Sequence, residues 1–323
     1  MELSKSQREI QVKQQRKIKA FWNYFKQNYD LYLMSIPGLL FVIVYKFIPL
    51  FGLTIAFKDF NIFAGDNIVD AVINSPSVGI DHFKKIFSEP ELLQKIWNTI
   101  IISVYKIVFL FPLPILLALL LNEVRLEIFK RTIQTLVYLP HFLSWVVVFG
   151  LFATLLGNDG IFNNVLASLG FEKVNPFTEQ DLFRGLLVTT EGWKEVGWSA
   201  IIFLAALTGI DLQQYEAAKI DGANRFQRMV YISIPGIFPV VILMLILRVG
   251  QVLNAGFEQI LAMYNPAVYE VGDIIQTFVY RIGLGKMDFS LGTALGLFES
   301  VVAFILIVSS NAICRKTLGR SIW

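Results

Sequence analysis

Apolar residues in this chain gather in runs of about 20, separated by shorter polar stretches. A run of that length crosses a hydrocarbon core of roughly 30 Å as α-helix. The runs predict six spans, at about 31–57, 97–121, 134–156, 186–209, 236–256 and 290–313. The fourth is the most polar, because "TTEGWKEVG" opens it and only "WSAIIFLAAL" is clearly apolar. Proline and glycine lie inside spans, as in "SIPGLL" and "FPLPILLALLL"; neighbouring helices re-satisfy the backbone groups that such kinks free. The expectation is an all-α integral membrane protein with one transmembrane domain at 31–314. A basic segment at 1–30 precedes it and a tail at 315–323 follows. No connection is long enough to fold as a soluble domain. Residues 1–30 are hydrophilic, and the apolar run after them has no small-residue cleavage site, so the first span reads as an uncleaved anchor.

Composition agrees: the 323 residues are 55% hydrophobic and 16% charged, against about 25% charged in soluble domains. A net charge of +3 gives no reason to expect nucleic acid, and the single cysteine, Cys314, excludes an internal disulfide. Lysine and arginine set the orientation. With the N-terminus inside, sixteen of them fall in 1–30, 122–133, 210–235 and the tail, against eight in the other three connections. Both termini and the 210–235 loop are therefore expected in the cytoplasm.

That loop holds a charged, polar stretch, "EAAKIDGANRFQRMVYISIPG", between two apolar runs. It has helix formers and no proline until Pro235. Ala218 and Gly222 fall four apart on one expected helix face, flanked by Ala217 and Ala223. Glu216 and Asp221 edge that face. The segment is too polar for lipid and too short for a core of its own, which leaves docking to a partner or a solvated loop as its readings.

"EAAKIDGA", followed by "ISIPGIFPV", resembles the E-A-A…G…I-x-L-P signature of permease subunits of binding-protein-dependent ABC importers. Glu216, Ala217, Ala218, Gly222 and Pro235 match the signature, and Ile234 stands where leucine is usual. "YLMSIPGLLFVIVYKFIPLFGLTIAFKDF", "LALLLNEVRLEIFKRTIQTLVYLPHFLSWVVV", "LAALTGIDLQQYEAAKIDGA" and "FSLGTALGLFES" are similar to one branch of that family, permeases for oligosaccharides and polysaccharide fragments. The resemblance implies the six-helix type I importer fold. It also implies a short coupling helix seated in a cleft of an ATP-binding subunit, carried here by Tyr215, Glu216, Ala217, Ala218, Asp221, Gly222, Ala223, Arg225 and Pro235. The partners it implies are two ATP-binding subunits, a second homologous permease and an extracellular solute-binding lipoprotein, in a bacterial cytoplasmic membrane. ATP and magnesium would sit on the ATP-binding subunits, with no cofactor on this chain.

The residues themselves offer no enzyme chemistry. There is no G-x-x-x-x-G-K-[ST] phosphate loop, no Cys/His set at metal-ligand spacing, and no Ser/Lys or paired Asp within spans. A secondary transporter would need repeated halves and midplane carboxylates, and only Glu299 lies deep. Charges inside spans face a cavity or a partner, which singles out Lys46, Lys106, Arg248 and Glu299. Lys46 adjoins a break expected at "VYKFIP", Lys106 has the option of snorkelling outward, and Arg248 and Glu299 have the depth to pair. For each, an ion pair between helices is as good a reading as contact with a sugar. Trp193, Trp198, Gln251, Asn254 and Phe298 are candidates for stacking on and hydrogen-bonding a glycan, although most aromatics in such chains form interfacial belts. His141 reads as a packing residue, "GNDGIFNNVLASLG" as a turn and a short surface helix, and "NEVRLEIFKRTIQ" as a basic connection anchored to lipid head groups. The substrate's identity, length and charge stay open, as does another solute class.

Overall fold

The computed structural model describes residue 24 and residues 26–319. Most of the basic 1–30 segment and the end of the tail lie outside the described residues. Among those described, regular structure is helical, with one isolated bridge between Lys58 and Ser77. The described residues fall into two compact units, one of those up to Ile55 with Asn61–Ser75 and one of Ala56–Phe60 with those from Pro76 onward.

In the first unit, α1 (Tyr29–Val42) passes into a π-helix at Ile43–Phe47 and then into a 3-10 helix that begins at Ile48. Pro49 has no N–H for the i→i−4 ladder, and the helix widens just before it. The break expected at "VYKFIP" is present, with Lys46 exposed on it. A short α2 (Ile68–Asn74) is capped by the Asn67 side chain, which accepts from the Asp70 N–H.

The second unit holds α3 (Asp81–Ser88), α4 (Pro90–Leu110), α5 (Pro112–Glu123), α6 (Glu127–Tyr138), α7 (Trp145–Leu156) and α8 (Ile161–Ser168). It continues with α9 (Gln180–Thr208), α10 (Leu212–Ile220), α11 (Arg225–Arg228) and α12 (Ile234–Gly250). Last come α13 (Phe257–Met263), α14 (Tyr269–Gly272), α15 (Ile275–Gly285) and α16 (Phe289–Leu318). Among the described residues, five stretches are long and apolar enough to cross a membrane: Tyr29–Phe57, Pro90–Glu123, Trp145–Ser168, Arg225–Gly250 and Phe289–Lys316. α9 passes the same test only when taken together with α10, from which it is bent by 72°. The expected third span is not one helix. Pro140 lies in a 3-10 turn at Leu139–Phe142, and α7 starts afresh with Ser144 accepting from the Val147 N–H at 3.3 Å. The fifth ends at Gly250, short of the expected 256, because the chain then enters a turn with positive φ at Ala255 and Gly256.

α9 is the hub, packed against α4, α5, α6 and α12. One core joins Ile102, Val148, Phe183 and Leu187 to Ile260, Met263, Val268 and Ile274. The segment after α12 is thus a folded layer that contains α13–α15 and supplies five of the eleven buried residues of this core. A second core sets Leu92 against Ile275, Phe278 and Leu295, and a third joins Ala118, Leu119, Phe203 and Ile237. Large apolar side chains such as Phe109, Leu120, Val146 and Phe304 stay exposed, as helices do when the surrounding solvent is hydrocarbon.

Candidate functional site

The polar opening of α9 defines the site. Glu191, Lys194 and Glu195 lie three and four residues apart and so share a helix face, and Glu191 and Lys194 are buried. Glu191 receives two cations from two other helices. Its Oε2 pairs with Lys106 Nζ of α4, and its Oε1 accepts from Arg248 Nη2 of α12 at 2.7 Å. Lys106 Nζ also donates to the Ala255 carbonyl at 2.7 Å and to Gln259 Oε1. Gln259 in turn donates to the Leu187 carbonyl and to Thr190 Oγ1, each at 2.7 Å. The positive φ of Ala255 (36°) and Gly256 (87°) turns the Ala255 carbonyl onto the ammonium. The left-handed backbone of Gly256 favours glycine, and a Cβ there would stand 2.7 Å from Lys106 Nζ and push on the ammonium.

Lower on the same face, Glu195 accepts from Lys194 at 2.9 Å and meets His141 Nδ1 at 2.8 Å. Lys194 also donates to the His141 carbonyl at 2.6 Å. The His141 ring lies flat on Trp198, with centroids 4.3 Å apart and planes 1° from parallel. A cavity of about 660 Å³ opens beside these groups, walled by Trp145, Glu191, Glu195, Trp198, Arg248 and Gln251 among others. A smaller chamber of about 130 Å³ shares Lys106, Glu191, Arg248, Gln251 and Gly256 with it, and adds Ser103 and Asn254. Aromatic faces beside a few charged and amide groups suit a ring-shaped polyol, whose apolar faces stack while its hydroxyls hydrogen-bond.

Of the residues singled out in the sequence, Lys106, Trp198, Arg248, Gln251 and Asn254 come together here. Lys106 does not snorkel: only 2% of its side chain is exposed. Arg248 pairs with Glu191 rather than Glu299, which leaves one Glu299 oxygen buried with no hydrogen-bond partner. Trp193 packs edge-on to Phe152, Phe298 edge-on to Phe87, and Lys46 belongs to the other compact unit. Glu191, Glu195, Trp145 and Ser103 were not anticipated. The available signal was the spacing of charges in "EGWKE", which the span reading treated as weakness.

A second polar knot ties the segment after α12 to α4 and α9. Asp273 is fully buried and accepts from Arg281 at 2.6 Å and Thr277 at 2.7 Å, with Lys95 at 3.3 Å. Burial works against the Arg281 charge, but the hydrogen bond and the charge of Asp273 outweigh it and hold the guanidinium above its usual range. From α9, Arg184 donates to Asn98 Oδ1 at 2.9 Å and to the Val271 carbonyl at 3.2 Å.

The polar interruption folds as α10 and α11. Asp211 caps α10 by accepting from the Gln213 N–H at 2.9 Å. At the other end, Ala223 N–H reaches the Ala218 carbonyl at 2.9 Å and Gly222 N–H the Lys219 carbonyl at 3.2 Å. This is a Schellman end with Gly222 in the left-handed region at φ 81°. Gly222 therefore lies past the helix rather than on one face with Ala218, and its glycine identity follows from backbone conformation. Asn224 and Gln227 form a capping box that opens α11. Glu216, Ala217, Asp221, Gly222 and Arg225 are exposed, whereas Tyr215 binds Ser233 at 2.9 Å. From Arg225 the helical path runs through a π-helical turn at Met229–Ser233 and past Pro235 to Gly250. Elsewhere, the turn and short helix expected within 157–170 include α8, pinned by buried Asn163.

Comparison with known proteins adds the family. The chain is 40% identical over 305 residues, 94% of its length and 93% of the relative's, to the polygalacturonan/rhamnogalacturonan transport system permease protein YteP of Bacillus subtilis (strain 168). It is 43% identical over 292 residues, 90% of each chain, to protein LplB of the same organism. Among solved structures it resembles a chain of a bacterial ABC transporter involved in the import of the acidic polysaccharide alginate. The TM-score is 0.84 and the identity 36%, over 92% of this chain and 99% of that one. Residues 110–318 match the family described as binding-protein-dependent transport system inner membrane component. The chain belongs to that family, as a multi-pass membrane permease subunit with the all-α type I importer fold.

Proposed function

We propose that this chain is one permease subunit of an ATP-driven ABC importer that moves an oligosaccharide or polysaccharide fragment across the bacterial cytoplasmic membrane. A second, homologous permease completes the pathway, two ATP-binding subunits hold ATP and magnesium, and an extracellular solute-binding protein delivers the glycan. The polygalacturonan transport of one relative and the alginate import of the structural neighbour support the substrate class. A crystal structure of an alginate transporter bound to a pentasaccharide-loaded periplasmic protein supports the delivery step.

One observation carries the mechanism. α10 presents an exposed surface, and a single Schellman turn links it to a helical path, with a π turn at Met229–Ser233, that ends beside Arg248 at the cavity. Displacement of α10 by a partner is thereby transmitted along α11 and α12 to the cavity wall. ATP biases the transporter only through contacts that differ between its states, and the α10–α11 surface is where such contacts would form. With the N-terminus in the cytoplasm, as the lysine and arginine distribution favours, that surface faces the ATP-binding subunits. Co-expression with candidate ATP-binding and permease partners, followed by reconstitution into liposomes, tests this reading. Glycan uptake that needs ATP, the loaded binding protein and every subunit is the expected result. Uptake by this chain alone, without ATP, would contradict it.

A further inference from the structure

Lys106, Glu191 and Arg248 form a triad with one anion for two cations. The other charged residue of the cavity walls, Glu195, is matched by Lys194. The triad therefore leaves one positive charge uncompensated inside a span bundle, where an unpaired charge is costly. The two cations are not equivalent. Lys106 spends its three N–H donors on Glu191, Ala255 and Gln259 and is buried. Among the described residues Arg248 bonds to Glu191 alone, and 39% of its side chain is exposed, so the rest of its five-donor fork is available. The 130 Å³ chamber that it lines also holds the amides of Gln251 and Asn254 and the Ser103 hydroxyl. Ser103 is 5% exposed, and its Oγ has no hydrogen-bond partner. The chamber is several times the roughly 30 Å³ that a water occupies in the liquid, enough for a carboxylate and a water or two.

Building on the import reading, we propose that this chamber is a carboxylate subsite. The transported glycan is acidic, and Arg248, held in place by Glu191, reads the carboxyl group of a uronate unit through its free edge while Ser103, Gln251 and Asn254 donate or bridge to it. A planar guanidinium matches a carboxylate in two parallel hydrogen bonds, which an ammonium does not. Carboxylate binding brings the triad to charge balance.

The test compares wild type, Arg248→Gln and Arg248→Lys in the fully reconstituted importer. The substrates are oligogalacturonate, oligomannuronate and the same oligosaccharides after reduction of the carboxyl groups to alcohols. Wild type should import an acidic substrate. Arg248→Gln should raise its KM about tenfold to a hundredfold more than that of the reduced counterpart, the range for losing a charge-assisted hydrogen-bond pair. Arg248→Lys should fall between the two. Equal losses on acidic and reduced substrates would overturn the subsite, because Arg248 would then be only a strut. So would a wild type that imports only the neutral forms. Absence of uptake for every glycan would instead count against the import reading itself.

Discussion

Arg248 lies 2.7 Å from Glu191, a residue 57 positions earlier in the chain. The other oxygen of that carboxylate meets Lys106, so one side chain of α9 fastens α4 and α12 together beside the cavity. On the proposed mechanism, a displacement carried along α12 reaches this junction. The following substitutions probe it and the segment that feeds it.

Glu191→Gln should be among the most destabilising single changes in the bundle. It leaves buried Lys106 without its carboxylate, and breaking a buried ion pair from one side costs about 3–5 kcal/mol. Lys106→Met should cost less, because Arg248 still compensates Glu191. Thermal unfolding of the purified chain in detergent should show a lower midpoint for Glu191→Gln than for Lys106→Met. The reverse order would mean that the carboxylate is not what holds the cations.

Gly256→Ala and Ala255→Gly should act in opposite directions although they are neighbours with positive φ. The first adds a Cβ 2.7 Å from Lys106 Nζ and a left-handed penalty of about 1–2 kcal/mol. The second relieves such a penalty, and its outcome should be neutral or stabilising. The same unfolding measurement ranks the pair, and loss of uptake should follow Gly256→Ala alone.

Asp273→Asn should loosen the α13–α15 layer. It removes the charge that Arg281 and Lys95 share at a fully buried position, again at a cost of about 3–5 kcal/mol. Hydrogen exchange in 257–285 should speed up while exchange in α5 and α6 stays slow. Uniform acceleration across the bundle would show that the layer does not open as a unit.

Gly222→Ala and Gly222→Leu separate backbone from partner contact. Both carry the same left-handed penalty of about 1–2 kcal/mol, and a Cβ there meets no atom of this chain within 4 Å. A larger loss of coupled ATP hydrolysis in Gly222→Leu, with the same unfolding midpoint as Gly222→Ala, then points to contact with another chain. Glu216→Lys should leave the fold unaltered, since Glu216 is exposed, and uncouple hydrolysis from uptake. Normal uptake in Gly222→Leu and in Glu216→Lys would remove α10 from the mechanism.

The spans were legible because about 20 apolar residues in a row have few alternatives to a membrane helix. The signature "EAAKIDGA" located α10, and charges within spans located Lys106 and Arg248. Three features escaped for physical reasons. Glu191 was hidden because the polarity that lines a cavity makes its span look weak. α13–α15 were hidden because short apolar segments broken by Pro266 and glycines read alike as loop or as folded layer. The pairing of Arg248 with Glu191 rather than Glu299 depends on which helix faces which, and pattern along one chain does not encode that.

The central claim is that force enters this bundle through α10. A photo-crosslinking residue placed at exposed Ala217, in cells expressing the whole importer, tests it most directly. The account predicts an adduct with an ATP-binding subunit, whose yield changes when ATP hydrolysis is blocked. Labelling from outside the cell, or adducts that never include such a subunit, would contradict it.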